Sequence, residues 1–228
     1  MNIWRKRSAA NKLKIKDLRL KIAQAANLQS LFFILFFLTA CNSVDPVVKV
    51  GLVAPFEGEN RAIGYDAIYA ARLAVRQINE AGGIGGHRVA LVALDDSSDT
   101  DLAQETAAAL VLDPGVMAVI GHGLPQTTAV AAPIYRQANL ALIPLGQSPF
   151  LAVPPDSLPP EFRTAYEAVT PFDETAGEYA AATYDAFQLL WQALEITEQT
   201  EGNITREGVQ TALNSLEYQG LTGKVFIP

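Results

Sequence analysis

The sequence predicts an α/β protein built on a doubly wound parallel sheet, and three observations carry that expectation. Short apolar runs (47–53, broken only by Lys49, then 89–94, 116–120 and 140–144) are separated by segments whose apolar residues recur at three- and four-residue spacing. The runs do not alternate polar with apolar residues, which is how strands buried on both faces read. The intervening segments have the length of right-handed strand–helix–strand crossovers, which make neighbouring strands parallel. With 228 residues, half of them hydrophobic, the chain can bury one sizeable core.

In chain order, Val47–Val53 reads as a buried strand that ends at Pro55. The loop Phe56–Ala62 leads to a helix from about Asp66 to Ala81. On it, Ile68, Ala71, Leu73, Ala74, Val75 and Ile78 form one broad apolar face. Gly82-Gly83 stops this helix, because glycine enters the left-handed region without strain. A turn through Gly85-Gly86 gives way to the strand Val89–Leu94, which ends in Asp95-Asp96. Ser98 or Asp99 is the expected N-cap of a helix from Asp101 to Leu112, ended by Asp113-Pro114-Gly115. Val116–Ile120 is the third strand and Gly121-His122-Gly123 a tight loop. Pro125 or Gln126 then begins a helix to Gln137, and Leu140–Pro144 is the fourth strand.

From Gly146 the alternation breaks, with prolines at 149, 154, 155, 159 and 160. Leu151–Val153 has the composition of a short strand. Pro159-Pro160 suits the first turn of a helix from Glu161 to Val169. Asp173 or Thr175 is the expected cap of a long helix, Ala176–Ile196, and Thr205 that of another reaching about Leu216. Gly220–Gly223 turns into a last strand, Lys224–Ile227.

Charge is unevenly distributed. Residues 1–27 hold eight of the 17 Lys and Arg, which leaves nine basic and 23 acidic residues beyond them. A body so acidic excludes a nucleic-acid partner. The basic segment precedes the apolar run Leu31–Leu38 and then Leu38-Thr39-Ala40-Cys41, the layout of a secretory signal. Those four residues resemble the bacterial lipobox. That resemblance implies a lipoprotein signal over 1–40, a lipidated Cys41, a tether over 41–46, and an extracytoplasmic body held to the membrane by its lipid. The uninterrupted apolar stretch 31–40 is short of the ~20 residues a membrane span needs. Cys41 is the single cysteine, so no intrachain disulfide or cysteine metal site can form.

In a doubly wound sheet, ligands bind beyond the carboxyl ends of the strands, where the strand order reverses. For the order 2-1-3-4 that crevice lies between the first and third strands. It would be lined by the loops 55–62, 121–126 and 145–149. These loops carry glycines for close approach and lead into a helix N-terminus whose free N–H groups suit a small anion or zwitterion. The candidate ligand-binding residues are His122, Gly123, Thr127, Thr128, Gly146 and Ser148.

Other chemistries fail on order or spacing. Gly83-Ile84-Gly85 follows a helix and precedes a strand, the reverse of a dinucleotide fingerprint. Gly146-Gln147-Ser148-Pro149-Phe150 lacks the second glycine of a nucleophile elbow, and both histidines precede Ser148. The phospho-acceptor reading of Asp95-Asp96 needs an acid after the third strand and a lysine later, and Ile120-Gly121-His122 and Leu145-Gly146 supply neither. These aspartates are read as loop and capping residues. Two histidines on different loops make no metal centre. No catalytic constellation remains, so neither an enzyme nor a cofactor is expected.

The blocks KVGLVAPFEG (49–58), INEAGGIGGHRVAL (78–91), DDSSD (95–99), AVIGH (118–122) and PIY (133–135) carry a resemblance. So do YAAATYDAFQLLWQALE (179–195) and GLTGKVFI (220–227). In combination they resemble the leucine/isoleucine/valine-binding family of type I periplasmic solute-binding proteins, which serve ABC importers. The resemblance implies a first-lobe fold over 47–228, a small amino-acid or carboxylate ligand, and an ABC permease as partner.

In that family the chain leaves the first lobe near the equivalent of Phe150, builds a second lobe and returns. Here the segment that resembles the return follows at once, so the second lobe is missing at about 150/151. By position, the family's ligand-backbone contacts fall on Gly146 and Ser148, of which Ser148 keeps its hydroxyl. The family's aromatic before Gly64 is replaced by Ile63. The alternative expectation is an interaction or sensory lobe that binds no solute.

Overall fold

The computed structural model describes residues 45–227; the expected signal segment and the lipidation at Cys41 lie outside the described residues. The first half follows the predicted alternation. Strand β1 is Val47–Ala54, β2 Arg88–Asp95, β3 Val116–Gly121 and β4 Ala141–Ile143, joined by helices α1 (Arg61–Glu80), α2 (Thr100–Leu112) and α3 (Pro125–Gln137). All four strands are parallel, in the order β2-β1-β3-β4, so the reversal falls between β1 and β3 as expected. After a short 3₁₀ turn at Pro155–Ser157 come α4 (Pro160–Glu167), α5 (Ala180–Glu201), α6 (Arg206–Leu213) and an antiparallel hairpin, β5 (Glu217–Gly220) with β6 (Gly223–Phe226).

Both faces of the sheet are covered. On one, Val53 and Val119 pack with Leu110 of α2 and with Ala131 and Tyr135 of α3. On the other, Val50, Leu52, Ile120 and Ile143 meet Ala67, Ala71 and Ala74 of α1 together with Phe187, Leu189 and Leu190 of α5. The small residues of α1 let the helix lie close to the strands, and the large ones of α5 fill the remaining depth. Each of those α5 side chains gains roughly 1.5–3 kcal/mol from leaving water. A third cluster, in which Tyr69 meets Tyr166 edge to face, fixes α4 on α1.

Several boundaries differ from expectation for reasons of tertiary origin. Helix α1 starts at Arg61, a turn and a half before Asp66. Strand β2 lies at the sheet edge, so Leu91, Val92 and Leu94 are only half-buried and Ala93 is exposed. Residues 151–153 form no strand, and the Val153 N–H donates to the Glu178 carbonyl instead. The last strand pairs in a hairpin with β5, whose sequence Glu-Tyr-Gln-Gly carries no strand signal. Its turn is tied to α5 by the buried Asp185, which accepts from Leu221 N, Thr222 N and Thr222 Oγ1 at 2.6–2.9 Å. Arg206 of α6 donates to the carbonyls of Val111, Asp113 and Val116 at 2.7–3.3 Å and so fastens the second half to the first.

Helix α5 begins at Ala180, and neither Asp173 nor Thr175 caps it. The acceptor comes from α1: Asp66 Oδ2 receives the Tyr179 N–H at 3.1 Å. Burial raises the Asp66 carboxyl above its ordinary value of 3.8, against the lowering effect of the N–H groups of Tyr179 and Gly177. A carboxyl raised in the folded state binds its proton more tightly there than when unfolded. Its contribution is therefore fully present below the unfolded value and lost as pH rises through the raised one. Asp66→Asn keeps an oxygen for Tyr179 and removes the titration. Its stability relative to wild type should improve between pH 4 and pH 7 in urea unfolding, and a difference independent of pH would contradict this assignment.

Candidate functional site

The three loops expected to form the crevice converge at the carboxyl ends of β1, β3 and β4, and glycine makes their contact possible. A β-carbon at Gly123 would sit 2.6 Å from Ile63 Cγ2, and one at Gly146 would sit 2.6 Å from the Gly123 carbonyl oxygen. Gly146 also has φ +69, a conformation that a side chain strains. The close approach read from these glycines is thus, in this structure, an approach of the loops to one another.

The six candidate side chains divide accordingly. His122 is fully buried, with Nδ1 2.7 Å from Asp96 Oδ2 and Nε2 3.1 Å from the Tyr135 hydroxyl. In this structure the ring is held in the core by two partners and does not open onto the crevice. Thr127 Oγ1 is spent on the Leu124 carbonyl and is likewise buried. Thr128 Oγ1 donates within its own loop, to the His122 and Leu124 carbonyls, and accepts from Gln147 Nε2 at 3.0 Å. Ser148 is the exception: it is exposed and makes no hydrogen bond within the described residues. Gly123 is buried and Gly146 half-buried.

The start of α3 adds a donor set. Its N-cap is Leu124, which has no side chain to cap with, and Pro125 at the first helical position has no N–H. The amides of Gln126 and Thr127 consequently have no acceptor among the described residues, beside a partial positive helix end. One further residue reaches the crevice. A β-carbon at Gly146 would lie 3.8 Å from the Tyr179 ring, which is half-buried at the entry to α5. In the sequence Tyr179 falls inside the predicted helix Ala176–Ile196, and no local signal distinguishes it from its neighbours.

Asp95 and Asp96 act within the fold, as read. Asp95 accepts from Phe56 N, Ser97 N and Ser97 Oγ at 2.7–2.8 Å, holding the loop after β1 against the end of β2. Asp99, one of the two expected caps, accepts from Asp101 N and Leu102 N. No cluster of three metal-ligating side chains occurs among the described residues.

The line Asp96–His122–Tyr135 joins the ends of β2 and β3 to α3. Burial, and then the nearby Asp96, push the Tyr135 phenol well above its usual range, and the two ring nitrogens of His122 bridge that hydroxyl to the Asp96 carboxyl. Removing one partner strands the other in the core. His122→Leu should therefore cost about 3–5 kcal/mol. The double variant Asp96→Leu/His122→Leu should cost less than the sum of the two single changes in urea unfolding; additive costs would refute the coupling.

Comparison with known proteins agrees with this architecture. Residues 47–161 match the family model described as periplasmic binding protein. An amino acid binding protein of Pseudomonas aeruginosa is 33% identical over 101 residues, 44% of this chain and 27% of the relative. The Leu/Ile/Val-binding protein of Escherichia coli K12 is 33% identical over 96 residues, 42% and 26% of the two chains. The chain thus spans about a quarter of the length of the curated relatives it matches. Among solved structures, the branched-chain amino acid transporter substrate-binding protein LivJ of Streptococcus pneumoniae, in complex with isoleucine, has a TM-score of 0.65 at 15% identity. That match covers 80% of this chain and 92% of the other. The leucine-binding protein LivK of Thermotoga maritima has a TM-score of 0.60 at 13% identity, covering 79% and 91%. The chain belongs to the periplasmic binding protein family, the type I solute-binding proteins that include the Leu/Ile/Val-binding proteins.

Proposed function

We propose that this chain is a solute-binding protein of a branched-chain amino acid type ABC import system, reduced to its first lobe over residues 47–228, and that it captures a small amino acid or carboxylate without catalysis. The observation that carries the reading is the set of unpaired donors at the β1/β3 reversal: the amides of Gln126 and Thr127 for a carboxylate, with the exposed Ser148 hydroxyl and the backbone of Gly123 and Gly146 beside them. Tyr179 supplies an aromatic wall.

The reduction to one lobe is supported by curated relatives of which only 26–27% is matched, and by the one four-stranded parallel sheet among the described residues. A one-sided crevice leaves its solute partly in water, whereas enclosed pockets bury ~70–90% of a ligand. Affinity in the millimolar range is therefore expected. The partners in this reading are an ABC permease and, through lipid on Cys41, the membrane. No helix among the described residues is long and apolar enough to cross one.

A second reading, an interaction lobe that binds no solute, is favoured by Phe172 and Leu151, which are 82% and 51% exposed on the segment that replaces the missing lobe. Thermal unfolding with leucine, isoleucine and valine separates the two. The first reading expects the melting temperature to rise at millimolar solute. It also expects Ser148→Ala to weaken binding by roughly 2- to 12-fold while leaving the unliganded protein's stability unchanged. No shift with any of the three would leave the interaction reading. For the anchor, Cys41→Ser should change the mass of the mature protein, and an unchanged mass would exclude lipidation there.

A further inference from the structure

We infer a second binding site, at the open edge of β4, that takes short apolar peptides in extended form. Strand β4 pairs only with β3, and among the described residues no other hydrogen bond reaches Ala141–Ile143. A cleft of about 440 Å³ lies against it, touching Leu142 and Pro144, then Ala132 and Arg136 of α3, and finally Gln210 of α6 and Ile227. Because α3 belongs to one face of the sheet and α6 with Ile227 to the other, a cleft that meets all of them opens at the edge of the sheet, between the two covering layers.

The opposite edge is treated differently. At β2 the Asn79 side chain donates to the Val89 carbonyl and accepts the Val89 N–H, both at 2.8 Å, so an amide occupies the place of a neighbouring strand. No side chain does this at β4. A bare strand edge offers alternating N–H and C=O groups, a pattern that a peptide backbone complements and a simple carboxylate or sugar does not. Three residues of strand run about 10 Å, the length of a tripeptide. A second copy's β4 does not fit, since both edges are recessed between helices and two troughs cannot reach each other.

Charge gives the peptide a direction. Arg136, near the end of α3, is exposed and has no acidic partner among the described residues. No acid lines the cleft, although acids outnumber bases 23 to nine beyond residue 27. The cation suits a terminal carboxylate, while Leu142 and Ile227 offer apolar surface to the side chains. The cleft shares Thr128 and Gln147 with the crevice loops, yet the peptide site does not need a solute to bind beyond them.

Trileucine, titrated into the ¹⁵N-labelled protein, tests the inference. Expected are saturable amide shifts at Leu142 and Ile227, and about tenfold weaker binding by Arg136→Gln, a surface change that leaves the fold intact. Trileucine with an amidated C-terminus should bind the wild type about tenfold more weakly, and should lose nothing further in the variant. Three results would overturn the site: no shifts along β4, shifts confined to Gly123, Gly146 and Ser148, or octanoate perturbing β4 as strongly as trileucine, which would mean that the cleft reads an apolar carboxylate and adds no strand.

Discussion

A parallel sheet that is apolar on both faces cannot stand half covered, and the rest of this molecule follows from how the second cover is supplied. Helices α2 and α3 close one face as part of the crossovers themselves. On the other, the crossovers supply only α1, whose small residues seat it close to β1 and leave the neighbouring strands open. Helix α5 fills that space with Phe187, Leu189, Leu190 and Leu194, all fully buried. The family match ends at residue 161, yet this core is not complete before residue 201. The sheet therefore needs the segment beyond residue 161, because that face has no second hydrophobic layer without it.

The same constraint explains why the return segment is fastened by polar contacts as well as apolar ones. Asp66 receives the entry to α5, Asp185 receives the hairpin turn, and Arg206 grips the end of α2 and the start of β3. Each joins parts of the chain that no crossover connects. Burial raises both carboxyls above their ordinary range, so these contacts set position at some electrostatic cost. Helix α5 cannot slide along the sheet without leaving its backbone donors unpaired.

At the strand ends the loops hold one another. Asp95 binds the loop after β1, Asp96 binds His122 in the loop after β3, and Gln147 after β4 reaches Thr128 in α3. The crevice floor is rigid because its polar side chains are satisfied internally. What it presents outward is mainly backbone: the amides of Gln126 and Thr127, with Ser148 as the free hydroxyl. This is the surface on which the proposed capture of a small carboxylate rests.

The sequence by itself determined the four parallel strands, the helices between them, and the cap at Thr205, and it narrowed the cap of α2 to Ser98 or Asp99. Apolar periodicity, glycine stops and side-chain caps act within a few residues, so they are legible locally. The reversal between β1 and β3 was also legible, since crossover length and handedness leave few arrangements. Only the tertiary structure decided that α5 waits until Ala180 for an acceptor 113 positions away, and that β2 is a half-exposed edge. It alone turned His122 inward, brought Tyr179 to Gly146 and left the outer edge of β4 without a partner among the described residues, beside Arg136. Each of these depends on a partner distant along the chain, and nothing in the local pattern of residues records which partner the fold will bring near.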